Sequence, residues 1–307
     1  ELVKYFGDVP LIIDKRIGIE EALQIARSPK AEVYAQIEKD LKDASEVLNP
    51  VASQKGRATK GAALSFLGKV YLYQNKFTEA AATFDEVIAS GSYSLTPSYV
   101  DLFSVANENN SETVFDVEYT GLEGGSYGCL ICLEGNAAVG FQGIRQYNGP
   151  VYGDGNSYNL PTQELYDAFS SIDGRRAATI LDIDAFIATQ PNPASITYAE
   201  GAGGHTGYYN NKYIKRQGEI GLPDNDLTSP VNYRVMRYSD VLLMAAEAYN
   251  RGAIDDGKAR TYLNLVRRRA FGDTNHDIAT SGAALTDNIL DERRIELFGE
   301  GHRFFDL

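Results

Sequence analysis

Apolar side chains recur every three or four positions in several stretches of this chain, a spacing that predicts helices. Over residues 31–48 they are Val33, Ile37, Leu41, Ala44 and Leu48, and Asn49-Pro50 ends the run. Between residues 60 and 90, Leu67, Gly68 and Tyr71 are followed by Ala80 and Phe84, the spacing of a tetratricopeptide unit. The small Gly68 and Ala80 would let two antiparallel helices approach, with Tyr71 and Phe84 filling the groove between them. A looser copy runs from Ala246 and Tyr249 to Ala259 and Leu263. One such unit cannot bury its own face, so the units are expected to stack.

The carboxyl third predicts three more helices. After Asp240 the side chains are apolar almost all round, from Val241 to Tyr249, which marks a buried helix. Ala259, Tyr262, Leu263, Val266 and Ala270 form one stripe of a second. The third is expected to start after Thr286 as N-cap, with Asp287 in its first turn and Gly299 at its far end. Glu247 stands on the apolar helix and needs a cation; Arg267, Arg269, Arg293 and Arg294 are the candidates in sequence. Glu292, Glu296 and Glu300 lie four apart on one helical face. Such carboxylates could be acid/base catalysts or metal ligands, but so many arginines close by favour an Arg–Glu network tying helices together.

Elsewhere the period changes or disappears. Thr113, Phe115, Val117 and Tyr119 alternate with Val114, Asp116 and Glu118, as in a strand. Residues 120–160 have no helical period and are punctuated by glycines, with Tyr127, Phe141, Tyr147, Tyr152 and Tyr158 among them. Residues 161–176 return to helix and end in Asp173-Gly-Arg175, expected to make a turn and an ion pair. Residues 190–229 are a second irregular segment, with Tyr198, Tyr208, Tyr209 and Tyr213 beside Asn210, Asn211, Lys212 and Lys215. Residues 1–14 are expected to be extended, because Gly7 and Pro10 disfavour helix. Long irregular stretches in a compact protein are usually functional.

Composition narrows what these segments do. With 43% hydrophobic residues the 307-residue chain can bury a substantial core. A net charge of −13 argues against a nucleic-acid or anionic-membrane partner. No apolar run approaches the ~20 residues of a membrane span, and no stretch of this sequence reads as a signal peptide. Cys129 and Cys132 form a CxxC without a redox or zinc context, and are expected to be ordinary thiols. Three histidines are poor ground for a nucleophilic triad, and no metal or cofactor site is indicated. The run Gly201-Ala-Gly-Gly lacks the strand, helix and lysine of a phosphate loop. Among 42 acidic residues, finding two that could serve a glycosidase is no evidence for one.

What the irregular segments offer is a composition suited to sugars. A flat ring matches the C–H face of a pyranose, and nearby amides and guanidiniums serve its hydroxyls. The chain has 20 tyrosines and no tryptophan, so tyrosine would be the platform. On composition, Tyr147, Tyr152, Tyr208 and Tyr209 are the stacking candidates, with Arg145, Asn148 and Asn210 as hydroxyl partners.

Three runs carry a resemblance. Arg237-Tyr-Ser-Asp-Val-Leu-Leu-Met-Ala-Ala-Glu247, Leu265-Val-Arg-Arg-Arg-Ala270 and Glu292-Arg-Arg-Ile-Glu-Leu-Phe-Gly-Glu-Gly-His-Arg303 resemble, in order, the C-terminal signature of the SusD/RagB family. Phe6-Gly7 with Val9-Pro10-Leu11, and the helix before Asp173-Gly-Arg175, are similar to it as well. The resemblance implies a mainly α fold of stacked tetratricopeptide-type hairpins with long irregular loops and a few short strands. It implies one domain over 1–307, with a helical scaffold at 15–110 and 230–307 and a loop-rich, ligand-facing part at 119–229. The lipidated N-terminal region and the extreme C-terminus of the family are expected to lie outside this chain. The family's role would be non-catalytic capture of an oligosaccharide or similar nutrient by an outward-facing outer-membrane lipoprotein. A SusC-like TonB-dependent transporter would receive the cargo. A helical glycoside hydrolase and a tetratricopeptide scaffold for a protein partner are the rival readings.

Overall fold

The computed structural model describes residues 1–121, 128, 134–201, 205–219 and 227–306. Among the described residues no helix is long and apolar enough to cross a membrane. The cysteine pair lies outside them. The first helices are α1 (Leu2–Phe6), α2 (Ile19–Ala22), α3 (Lys30–Val47), α4 (Lys60–Tyr73) and α5 (Phe77–Ala89). Then come β1 (Thr113–Val117), α6 (Ala137–Gln142), β2 (Ile144–Arg145), β3 (Asp154–Gly155), α7 (Gln163–Ala168) and α8 (Arg175–Thr179). β4 (Ile180–Asp182), α9 (Ile183–Ala188) and β5 (Tyr208–Asn210) follow. β6 (Tyr233–Arg237) runs straight into α10 (Tyr238–Arg251), and α11 (Asp256–Phe271), α12 (Gly282–Glu296) and α13 (Arg303–Asp306) complete the chain.

The fold is mainly α. Helices α3, α4, α5, α10, α11 and α12 form an array in which each packs on the next. The α4–α5 hairpin closes as its small residues require. A Cβ on Gly68 would stand 2.5 Å from the Phe84 ring, and Phe84 and Ala80 are fully buried. The second hairpin, α10–α11, is tied to the first through Asp85. That carboxylate accepts hydrogen bonds from the Tyr262 hydroxyl at 2.8 Å and the Tyr249 hydroxyl at 2.5 Å, and pairs with Lys258. Helix α10 is the centre: Val241, Leu242, Leu243, Ala245 and Ala246 have no exposed surface. β1 pairs antiparallel with β6 through a bulged register, Thr113 opposite Arg237 and Val117 opposite Tyr233.

Local structure departs from the sequence reading in several places. The first residues form the short helix α1, because Val3 is buried against Val33 and Tyr34, and Gly7 at φ +68° ends it. The 161–176 stretch makes two short helices, with Phe169 extended between them and buried. Helix α12 starts at Gly282, a turn earlier than expected; Thr286 lies inside it and donates to Asn250 Oδ1. Glu247 takes Arg251, one turn along its own helix, and none of the four arginines expected. The two irregular segments also hold short regular elements. β2 pairs parallel with β3, and β4 antiparallel with β5, so Tyr208 and Tyr209 lie on a strand.

Candidate functional site

Polar chemistry is concentrated in two places, and the first is closed. β6 delivers Arg237 to the N-terminus of α10, where its guanidinium meets Glu112 at 2.5 Å, Glu296 at 3.0 Å and Glu300 at 2.7 Å. Arg269 joins Glu112 and Glu296, and Lys212 joins Glu300 at 2.7 Å. Arg175 pairs with Asp173, as its spacing predicts, and also with Glu292 and Glu296. All these groups are buried except Arg269, which is partly buried. Burial alone would push the Glu296 carboxyl up, but the guanidiniums of Arg269, Arg237 and Arg175 outweigh it and hold the group well below the usual carboxylate range. Among the described residues, no group of three or more metal-ligating side chains occurs. Cations and carboxylates here satisfy one another, so this network has the character of architecture.

The second place is the glycine-rich segment around α6, β2 and β3. The four tyrosines selected on composition do not face outward. Tyr147 and Tyr152 are each 7% exposed and Tyr209 is 0% exposed, all packed with Ile144, Leu181, Ile183, Ile196 and Ile214. Tyr208 is buried with Leu165, Phe169 and Ile180, its ring stacked on Tyr166. Protein covers these rings, so in this arrangement none offers a free face to a sugar. The cause is physical: a segment without an apolar stripe still needs a core, and irregular backbone leaves carbonyls to satisfy. Tyrosine does both. The Tyr147 hydroxyl donates to Pro150 O at 2.6 Å, and Tyr208 donates to Gln163 Oε1 at 3.0 Å. Arg145 and Asn148 are exposed.

Asn210 is buried beneath a groove. Its side-chain amide donates to Gln142 Oε1 at 2.7 Å, and a Cβ on Gly299 would lie 2.5 Å from it. Gln142 and Gly299 both line the groove, a cavity of about 590 Å³ that also takes in Asn159, Glu164, Arg294 and Arg303. Arg294 and Glu164 pair at 3.0 Å, whereas Arg303 has no ion pair among the described residues. Phe304, 65% exposed, stands on the same wall. The order of the chain helped to hide this site. It joins α6, α7, the end of α12 and α13, which are far apart in sequence.

Tyr158 is the residue the sequence reading did not select. It is 63% exposed and stacks on Phe141, ring centroids 6.0 Å apart and planes at 26°. Three successive amides, of Asn156, Ser157 and Tyr158, donate to the carbonyls of Gly140, Gly143 and Phe141. The clamp needs Gly155, whose Cβ would lie 2.4 Å from the Gly143 backbone. A separate cavity of about 490 Å³ between α1, α3 and α4 is walled mainly by apolar side chains, among them Val3, Ile37, Leu41, Phe66 and Val70. It lacks the row of amides and guanidiniums found in the groove.

A helical scaffold with a closed ionic core and an open, polar, aromatic-edged groove defines a protein built to present a surface. The comparisons give the class a family. The sequence model described as SusD family matches residues 75–307, and one described as starch-binding associating with outer membrane matches residues 1–72. The chain belongs to the SusD family. SusD-like protein P2 of Formosa agariphila is 31% identical over the whole of this chain, which spans 61% of that relative. A solved laminarin-binding SusD-like protein superposes at TM-score 0.86 with 34% identity, over 100% of this chain and 66% of its own. Surface glycan-binding protein A of Bacteroides thetaiotaomicron, in complex with laminarihexaose, superposes at 0.77 with 29% identity, over 92% of this chain and 62% of its own. This chain therefore spans less than two thirds of the length of these relatives.

Proposed function

We propose that the protein captures an oligosaccharide at the cell surface without cleaving it, and passes it to a SusC-like TonB-dependent transporter in the outer membrane. The observation that carries this reading is the likeness, along the whole of this chain, to a laminarin-binding SusD-like structure. A laminarin-type glucan is accordingly the first ligand to test. The match of the N-terminal part to a family associated with the outer membrane supports the location. The closed ionic core supports a carrier over a catalyst, since its carboxylates are neutralised by buried arginines and not presented to a substrate. On the loop face, Arg145 and Asn148 are hydroxyl partners, and Asn210 acts through Gln142.

Calorimetric titration with laminarihexaose, maltohexaose and cellohexaose tests the reading. The expected result is saturable binding of at least one, with the sugar recovered uncleaved. Absence of binding to any of the three, or release of shorter products, overturns it. Copurification with a large β-barrel transporter tests the partner.

A further inference from the structure

The backbone on both sides of Tyr158 is left-handed: Ser157 has φ +57° and Asn159 φ +56°. Residues other than glycine rarely adopt this conformation, and it persists only where the surroundings enforce it. Here the enforcement is visible. The three amide bonds to α6 fix residues 156–158, the Gly143–Gly155 crossing brings the two backbones together, and the Ser157 hydroxyl accepts from the Arg145 amide at 3.0 Å. The result is a large ring left in water, where burial would have stabilised the fold. It rests on a second ring, Phe141, which supports it from behind. The residues that follow Phe141 and Tyr158, namely Gln142 and Asn159, are both walls of the groove. The flanking amides line one cavity, and the stacked rings adjoin them in the chain.

We infer that Tyr158 is the stacking platform of a pyranose subsite at the edge of this groove, with Gln142 and Asn159 as the amides that read the sugar's hydroxyls. This rests on the glycan-capture reading and assigns it a place. Preorganisation follows from the clamp: the ring is held before the ligand arrives, so binding loses little side-chain entropy. Arg303 offers a further donor on the same wall.

The absence of tryptophan from the chain makes the inference testable in two independent ways. Tyr158→Ala is expected to weaken binding of the best hexaose of the panel about tenfold, as removal of a central aromatic contact does, with the melting temperature unchanged. Tyr158→Phe should bind within about twofold of wild type, because the ring face and not the hydroxyl makes the contact. Tyr158→Trp places a single tryptophan at the site, and its emission should shift on titration and saturate with the calorimetric affinity. If wild type binds while Tyr158→Ala binds equally well, or the tryptophan emission stays constant at saturation, the subsite is overturned and the capture reading stands. If wild type binds none of the panel, both fall.

Discussion

Arg237 has three carboxylates within 3.0 Å and is sealed in protein, whereas Arg303, at the edge of the groove, has no ion pair among the described residues. The same comparison holds for the aromatics. Tyr209 has no exposed surface, and Tyr158 has most of its surface in water. The carboxyl-terminal helices and the glycine-rich segment are thus built from the same residue types with opposite accounting of their polar groups. In the ionic core every cation is paired with a protein carboxylate, with only Arg269 Nε left without an acceptor, and this fixes how α10, α11 and α12 sit against α8, which carries Arg175, and the loop that carries Lys212. Around the groove, the Arg303 guanidinium has no ion pair among the described residues and two large rings, Tyr158 and Phe304, are left in water, Tyr158 on a backbone that is itself rigidly held. Buried charge marks the frame, and unanswered polarity on a rigid frame marks the place for a ligand.

The sharpest way to break this comparison is to remove one charge from the core. Arg237→Met would leave Glu112, Glu296 and Glu300 buried with less than their full complement of cations. Losing one partner of a buried network costs about 3–5 kcal/mol, so the urea midpoint should fall steeply or the protein should fail to fold. A midpoint close to wild type would mean that the network is dispensable and the distinction between frame and site is misdrawn.

A smaller effect comes from a carboxylate inside the frame that the frame does not satisfy. Asp116 is 3% exposed, both its side-chain oxygens lack a hydrogen-bond partner, and the nearest cation, Arg234 Nε, is 3.7 Å away. Burial pushes its carboxyl up to about 7; Arg234 opposes the rise and Glu118 and Glu108 add to it. The sign follows by linkage. The folded state holds this proton more tightly than the unfolded chain, so stability falls as pH rises from about 4 to about 7. Glu296 behaves oppositely, its contribution being present at neutral pH and lost as pH falls below the usual carboxylate range. Asp116→Asn should therefore be more stable than wild type at pH 8, by a few kcal/mol, with the gain vanishing near pH 4. Denaturant melts at the two pH values decide it: an equal difference at both rules out the titration of Asp116 as its cause.

The legible part of the molecule was the part with a period. Helix α3, the two hairpins and β1 follow from their spacing, because burial of one face is written into every third, fourth or second residue. The Asp173–Arg175 pair was legible because its partners lie two residues apart. Tyr147, Tyr152, Tyr208 and Tyr209 are buried for a physical reason that composition does not carry. A tyrosine that caps a loop carbonyl from inside and one that faces a sugar have the same local composition. What separates them is the backbone, and the weak trace of it at Tyr158 is its neighbours: Ser157 and Asn159 are small and polar, and asparagine in particular tolerates a left-handed turn. Glu247 finds its cation on its own helix, because Arg251 lies four residues on and on the same face.

The smallest effect probes the boundary between frame and site at a single residue. Asn210 is chemically suited to bind a sugar hydroxyl, yet it is buried and its amide is taken up by Gln142 Oε1 at 2.7 Å. If it acts as frame, Asn210→Ala removes two hydrogen bonds, the one to Gln142 and the one from the Lys212 amide, costing about 2 kcal/mol of stability, and weakens glycan binding only by releasing Gln142. The effect on affinity should then disappear in a Gln142→Ala background, since the side chain being positioned is already gone. If Asn210 touches the sugar itself, the two losses should add, as independent contacts do. Calorimetry on the two single variants and the double variant measures that coupling. Additive losses would move Asn210 into the site and draw the ligand deeper into the groove, past Gln142 towards the Gly299 backbone, while full non-additivity keeps the sugar at the surface, where Tyr158 stands.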